Sequence, residues 1–267
     1  MRPSTATTTS SGSTSASRDL PRAVNPVAGR DSVAIVTGIV LSCEHAAWAL
    51  PDGVDIGVSV DARRSQAGWD HGALDIAAAL AEGLGAPLHA GSFTRMFVDL
   101  NRPADHPDAI PVNSYGAPVP ANVGLSPEAR AACLARHHAP YWSSLRGDVD
   151  ARAAAAGRVL HLSSHSFDPA LDPAVRTFAV GVLFHPAQPW ESAVAARLLA
   201  ALRAAGFDAR ANQPYTGVGP AVCTSFRDAL GGARYAGIQL ETSHAVTALA
   251  DGCARVAAAL LPALRAL

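Results

Sequence analysis

The chain has 267 residues, 49% of them hydrophobic and only 16% charged, with a net charge of −1. That composition belongs to a globular chain able to bury a full core, and so small a net charge offers no field to attract nucleic acid or an anionic membrane surface. All 21 basic residues are arginine, which excludes a Schiff-base lysine, a pyridoxal-phosphate anchor and a P-loop lysine, and leaves arginine to hold any anionic substrate.

Residues 1–30 are rich in Ser, Thr, Ala, Pro and Gly without an apolar stretch. They read as a disordered tail rather than a signal peptide, ahead of one catalytic domain over 31–267. The run Val33–Ser42 is apolar and β-branched, as in a strand buried on both faces, and ends at Cys43-Glu44-His45. A Gly/Pro loop precedes a helix from about Asp70 to Leu84, where Ala73, Ile76, Ala77 and Leu80 recur at helical spacing. A strand is expected over Phe93–Leu100, running into Asn101-Arg102-Pro103. The proline-rich segment 103–124 follows; so long a loop often lines a site. Helical sequence covers Pro127–Leu145. The strand Val159–Ser163 then leads to His165. Further strands are expected at Ala179–Phe184 and Ala236–Glu241, and helices near Glu191–Ala205, Ser225–Leu230 and Val246–Leu264.

Strands alternating with helices predict a single three-layer α/β/α sandwich around a central mixed sheet. No apolar run reaches the roughly 20 residues a membrane span needs. The four cysteines, Cys43, Cys133, Cys223 and Cys253, form no CxxC pair. That pattern argues against a thiolate zinc site or a disulfide framework and suits a cytoplasmic protein.

Polar residues gather past the ends of four expected strands, at 43–45, 99–102, 163–168 and 241–244, the edge where open α/β sheets bind ligands. His45 and His165, with an acidic residue such as Glu44 beside His45, supply two imidazoles and one acid, the recurring ligand set of catalytic zinc. Glu241, ending an apolar strand, is placed for general-base work. Arg102 can clamp a substrate carboxylate, with Asn101 adding a hydrogen bond and Asp99 steadying the arginine. Arg95 and Arg176 are further cationic candidates. Asn212 and Tyr215 either touch substrate or form an Asn/Pro turn. His137 and His138 read as packing, His71 is open between site and helix surface, and His244 is a candidate proton donor.

Ser42-Cys43-Glu44-His45, Trp69-Asp70, the stretch from Arg95 to Asp99-Leu100-Asn101-Arg102, His165-Ser166-Phe167, Asn212-Gln213-Pro214-Tyr215 and Ile238-Gln239-Leu240-Glu241 occur in one order. Over roughly residues 33–245 the chain resembles the N-formylglutamate amidohydrolase family, which looks related in fold to zinc carboxypeptidases and aspartoacylases. The resemblance implies one Zn2+ per chain with His165 as ligand, Asn101 and Arg102 on a substrate carboxylate, and Glu241 activating water. The implied substrate is an N-formyl or N-acyl amino acid or a small carboxylate-bearing peptide; the alternatives are a carboxypeptidase-like peptidase, a hydrolase tailoring a peptide natural product, or a binding module that kept the fold and lost the metal. Two departures mark a divergent branch. Trp48 stands where a His-x-x-Glu motif has its glutamate, so the resemblance leaves Glu44 or Asp70 as the carboxylate ligand, with Glu44 favoured because it adjoins His45 whereas Asp70 also suits a helix cap. Glu44-His45-Ala46-Ala47 replaces the Pro-His-Ser-Gly of many members.

Overall fold

A computed structural model describes residues 38–171 and 176–267. The tail expected over 1–30, and the first part of the strand expected from Val33, lie outside the described residues.

The strands are β1 (Ile39–Cys43), β2 (Leu88–Ala90), the two-residue β3 (Asn113–Ser114) and β4 (Ala117–Pro118), β5 (Val159–Phe167), β6 (Val180–Leu183), β7 (Ala209–Ala211) and β8 (Tyr235–Ser243). The helices are α1 (Val60–Arg63), α2 (Ala73–Leu84), α3 (Pro127–Cys133), α4 (Ala139–Ala156), α5 (Pro189–Ala204), α6 (Val222–Leu230), α7 (His244–Thr247) and α8 (Gly252–Arg265).

Six strands form one sheet in the order β2-β1-β5-β8-β6-β7, and β3 pairs with β4 in a separate hairpin. All pairings in the large sheet are parallel except β6 with β8, which gives the expected mixed sheet. Strands covered on both faces should be apolar throughout. Accordingly β1, β5, β6 and β8 are buried at every position. On one face Ile76, Leu80 and Leu84 of α2 pack with Leu198 of α5 and Leu260 of α8. On the other, Leu145 and Val149 of α4 meet Phe226 of α6 and Tyr235. No helix among the described residues is long and apolar enough to cross a membrane.

The structure departs from the sequence reading at four places. Phe93–Leu100 is not a strand: it is a chain of turns, and the edge strand is β2, just upstream. Its apolar residues are buried because Phe93, Met96, Phe97, Val98 and Leu100 pack with Ile56, Ile110 and Val119 in a small core of their own. An apolar run therefore meant burial but not extension. Asp70 does not open a helix, since α2 begins at Ala73 behind Gly72, whose φ of 75° suits glycine. The last helix is interrupted: α7 stops at Thr247 and α8 starts at Gly252. The helix expected over Pro127–Leu145 continues to Ala156 after a π-helical turn at Leu134–His138.

One ion pair ties the second layer to the sheet. Arg227 of α6 donates to both oxygens of Glu191 at the start of α5, at 2.6 and 2.8 Å, and to the Gly237 carbonyl. Both side chains are buried, so removing one partner leaves the other charge stranded, at a typical loss of about 3–5 kcal/mol. Glu191→Ala should lower unfolding free energy by about that amount, read as a shift of the urea midpoint. A shift worth under about 1 kcal/mol would show that the pair adds little.

Candidate metal centre and cavity

Cys43 ends β1, and the chain turns sharply so that Glu44 and His45 lie over the sheet edge. The turn needs Gly91 beside it, because a Cβ there would stand 2.1 Å from the Glu44 carbonyl oxygen. In β5, residues 161, 163 and 165 alternate onto one face, and His165 is in direct register with Glu241 of β8. Asp70 arrives from the irregular segment ahead of α2, its N–H bonded to the His45 carbonyl.

His45, Asp70 and His165 form a buried group whose potential ligand atoms lie within 4.8 Å of one another. His45 Nδ1 lies 3.2 Å, and His165 Nδ1 2.8 Å, from the same oxygen, Asp70 Oδ2. The outer nitrogens face anions: His45 Nε2 donates to Asp99 Oδ1 at 2.7 Å, and His165 Nε2 is 3.2 Å from Glu44 Oε2. Carboxylates at Nε2 favour N–H there and leave the Nδ1 lone pairs turned toward Asp70. Three acceptors then converge on one point, and only a proton or a cation can occupy it. Two imidazoles and one carboxylate, with their outer nitrogens anchored, fit a zinc-type site in donor type.

Glu44, favoured from sequence as the acidic ligand, stands behind His165 instead. Its other oxygen accepts from Tyr141 Oη at 3.0 Å, and Ser163 Oγ donates to Oε2 at 2.6 Å. Burial opposes its ionisation, but the hydrogen bond and charge of His165, with Ser163, hold its carboxyl well below the usual range. The same balance holds for Asp99 beside His45. Burial, aided by Arg95, lowers His45 to about 4. In His165 burial acts in the same direction but is outweighed by Glu44 and Glu241, and its pKa is raised.

The other candidates surround a cavity of about 710 Å³ whose wall includes His45, Asp70, His165, Arg95, Arg102 and Glu241. Glu241 Oε2 is buried without a partner; burial raises its pKa against the pull of His165, Arg95 and Arg176. Arg95 is bound to Asp70 Oδ1. Arg102 donates to the Pro220 carbonyl and lies 3.8 Å from Asp99, with Nε unpartnered. Asn101 accepts from the Val222 N–H, and its Nδ2 is 3.3 Å from Gln239 Oε1. Asn212 is a turn residue, with φ 51° and an oxygen that accepts from Phe184 and Gly217 N–H groups, although it borders the cavity. Tyr215 reaches the wall, whereas Arg176 lies behind it, donating to Tyr215 Oη at 2.9 Å.

His137 packs edge-on against Phe93 and Phe97, and His138 donates to the Arg102 carbonyl at 2.7 Å. His71 meets Thr247 Oγ1, and His244 meets Ser166 Oγ, with burial lowering His244 to about 4. The sequence reading missed Tyr141, Gln66 and Tyr115. Gln66 bonds Asp70 Oδ1 at 3.2 Å and the Ser166 carbonyl at 3.1 Å. None of these carried a legible signal, unlike Ser163, one of three serines flanking His165, whose Oγ lies 2.9 Å from His165 Nε2.

The fold, the buried His-Asp-His group and the N-formylglutamate amidohydrolase family model, which matches residues 37–247, all cover the same stretch. The chain belongs to the N-formylglutamate amidohydrolase family. That is a family of amide hydrolases, and the chain is a hydrolase of that kind. A solved gene product of Agrobacterium tumefaciens is similar at 28% identity and a TM-score of 0.76, over 87% of this chain and 90% of that one. The N-formylglutamate amidohydrolase from Ralstonia eutropha JMP134 shares the fold at 17% identity and a TM-score of 0.70, over 87% and 93%. No curated protein matches the sequence significantly.

Behind the site, His161 is wholly buried between Ser42 Oγ at 2.7 Å and Tyr235 Oη at 2.6 Å, and burial lowers its pKa to about 4. Unfolded histidine titrates near 6.5. Between these values the unfolded chain binds the extra proton, so stability falls as pH drops from about 6.5 to about 4 and this group adds nothing further below that. Its share is at most about 3 kcal/mol. Urea midpoints measured across this range should fall with pH, and His161→Gln should flatten the slope. An unchanged slope in a folded variant would contradict this assignment.

Proposed function

We propose that the chain is a zinc-dependent amidohydrolase that cleaves the amide of an N-formyl or N-acyl amino acid, with one zinc per chain held by His45, Asp70 and His165. The observation that carries this reading is the convergence of both Nδ1 atoms on Asp70 Oδ2 in the floor of the cavity, with Glu241 and its unpartnered oxygen in the same wall. A zinc ion bound there would supply Lewis acidity toward the amide carbonyl and make a water acidic near neutral pH.

The protein's own groups do the rest. Asp99 and Glu44 hold the two imidazoles in the orientation that presents Nδ1. Arg102, with Asn101, takes the substrate's carboxylate and fixes the scissile bond over the site. Glu241 removes the proton from the attacking water and delivers it to the departing nitrogen. Burial raises the pKa of Glu241, which suits both halves of that transfer. The water oxygen joins the acyl carbon, the C–N bond breaks, and a free acid and a free amine leave. A small substrate is favoured over a long peptide by the Tyr115–Tyr215 hydroxyl contact at 3.1 Å, which links the β3–β4 hairpin to the 212–219 loop. We assign the protein to the cytoplasm, in keeping with its unpaired cysteines.

Elemental mass spectrometry of purified protein should find about one zinc per chain, absent from His165→Ala and Asp70→Ala. Glu44→Gln should still take up zinc, at roughly 10–100-fold lower affinity, since it orients a ligand. No uptake in any form after incubation with zinc would sink the hydrolase mechanism in favour of a binding module. Glu241→Gln should keep its zinc while amide cleavage falls by about 10²–10⁴-fold. Full activity in that variant would remove Glu241 from the reaction.

A further inference from the structure

Among the described residues, the only arginines in the cavity wall are Arg95 and Arg102, against the carboxylates Asp70, Asp99, Asp108 and Glu241. Arg95 is already bound to Asp70. One guanidinium, that of Arg102, is left to receive a substrate anion. A further cation, Arg176, is not among the described wall residues and stands behind Tyr215. It donates to Tyr215 Oη at 2.9 Å and to the Asp168 carbonyl at 3.3 Å, and its guanidinium carbon sits 5.1 Å from the centre of the Tyr215 ring. Tyr215 Oη is also tied to Tyr115 Oη at 3.1 Å. This side of the cavity therefore presents aromatic rings and hydroxyls, with the positive charge behind them.

We infer that Tyr215 is a specificity-determining residue that masks Arg176, so that the site takes N-formyl or N-acyl amino acids carrying a single carboxylate and a flat, uncharged side chain, and disfavours dicarboxylates such as N-formylglutamate. The physical reason is the charge balance. Arg95 is engaged by Asp70, so Arg102 is the one wall guanidinium left, and it serves the first substrate carboxylate. A second one would face the wall carboxylates with no wall cation left to pair it, which selects against it. An aromatic side chain instead gains ring contacts with the tyrosines.

The inference rests on the amidohydrolase reading, so its test separates the two. Zinc-loaded protein would be assayed for formate release from N-formyl-L-phenylalanine and N-formyl-L-glutamate, and both compounds titrated calorimetrically. The expected result is a kcat/KM at least tenfold higher for the phenylalanine compound. Tyr215→Ala should narrow that ratio by raising use of the glutamate compound, and Tyr215→Phe, which keeps the ring but frees Arg176 from the hydroxyl, should narrow it less. Equal or better cleavage of N-formylglutamate by the wild type would overturn the inference and leave the hydrolase reading standing. If neither compound is cleaved, the hydrolase reading fails, and the titrations decide the inference. Tighter binding of the phenylalanine compound would support it, and equal or tighter binding of the glutamate compound would overturn it.

Discussion

Two imidazole nitrogens aimed at one carboxylate oxygen, each imidazole held from behind by a buried acid, is the constraint around which the rest of this molecule is arranged. Asp70, Asp99 and Glu44 are all buried, and each is bonded to at least one histidine. Buried carboxylates are strongly unfavourable unless paired and hydrogen-bonded. Arg95, Gln66, Tyr141 and Ser163 exist in this structure largely to meet that requirement. The cluster is thus a source of local strain in the electrostatic sense, tolerable because so many donors surround it and because a cation or proton completes it.

The sheet makes the cluster possible. β1, β5 and β8 lie side by side and parallel, so their carboxyl ends open on one edge. His45 follows the first, and His165 and Glu241 sit at paired positions near the ends of the other two. The antiparallel β6 then returns beside β8, and Gly181 lets the Gln213 backbone approach to where a Cβ would stand 1.8 Å from its carbonyl oxygen. That approach brings the 212–219 loop, and with it Tyr215, to the cavity.

Much of this was legible in the sequence because strands buried on both faces are unbroken apolar runs, and polar residues at their ends stand out against them. His45, His165 and Glu241 were readable for that reason, and the mixed α/β sandwich followed from the alternation of elements. The choice between Glu44 and Asp70 was not readable. Adjacency to His45 favoured Glu44, but consecutive residues at a strand end turn to different sides, and Glu44 met the far nitrogen of the other histidine. Phe93–Leu100 misled for a related reason. Its apolar residues fill a small separate core, so burial was inferred correctly and extension was not. Tyr141, on a helix 97 residues from Glu44, carries no local pattern at all; only the three-dimensional packing brings it there.

That separate core also divides the site into two mechanical halves. His165 and Glu241 are carried by central strands, bonded on both sides and fixed with the sheet. Arg95, Asp99, Asn101 and Arg102 are carried by turns outside the sheet ladder, packed through Met96, Phe97, Val98, Leu100 and their neighbours, with Asn122 Nδ2 donating to the Met96 and Pro111 carbonyls at 2.9 and 2.8 Å. Asp99 joins the halves, because it is part of the irregular segment and yet fixes His45. The orientation of one imidazole therefore depends on how well a small apolar cluster outside the main core is packed. The other imidazole depends on the sheet and on Tyr141. A site built this way keeps Glu241 and one histidine on paired sheet strands, and leaves the wall arginines Arg95 and Arg102 on turns outside the backbone ladder. The lining of the cavity can then change by substitution in those turns while the sheet-borne half stays as it is.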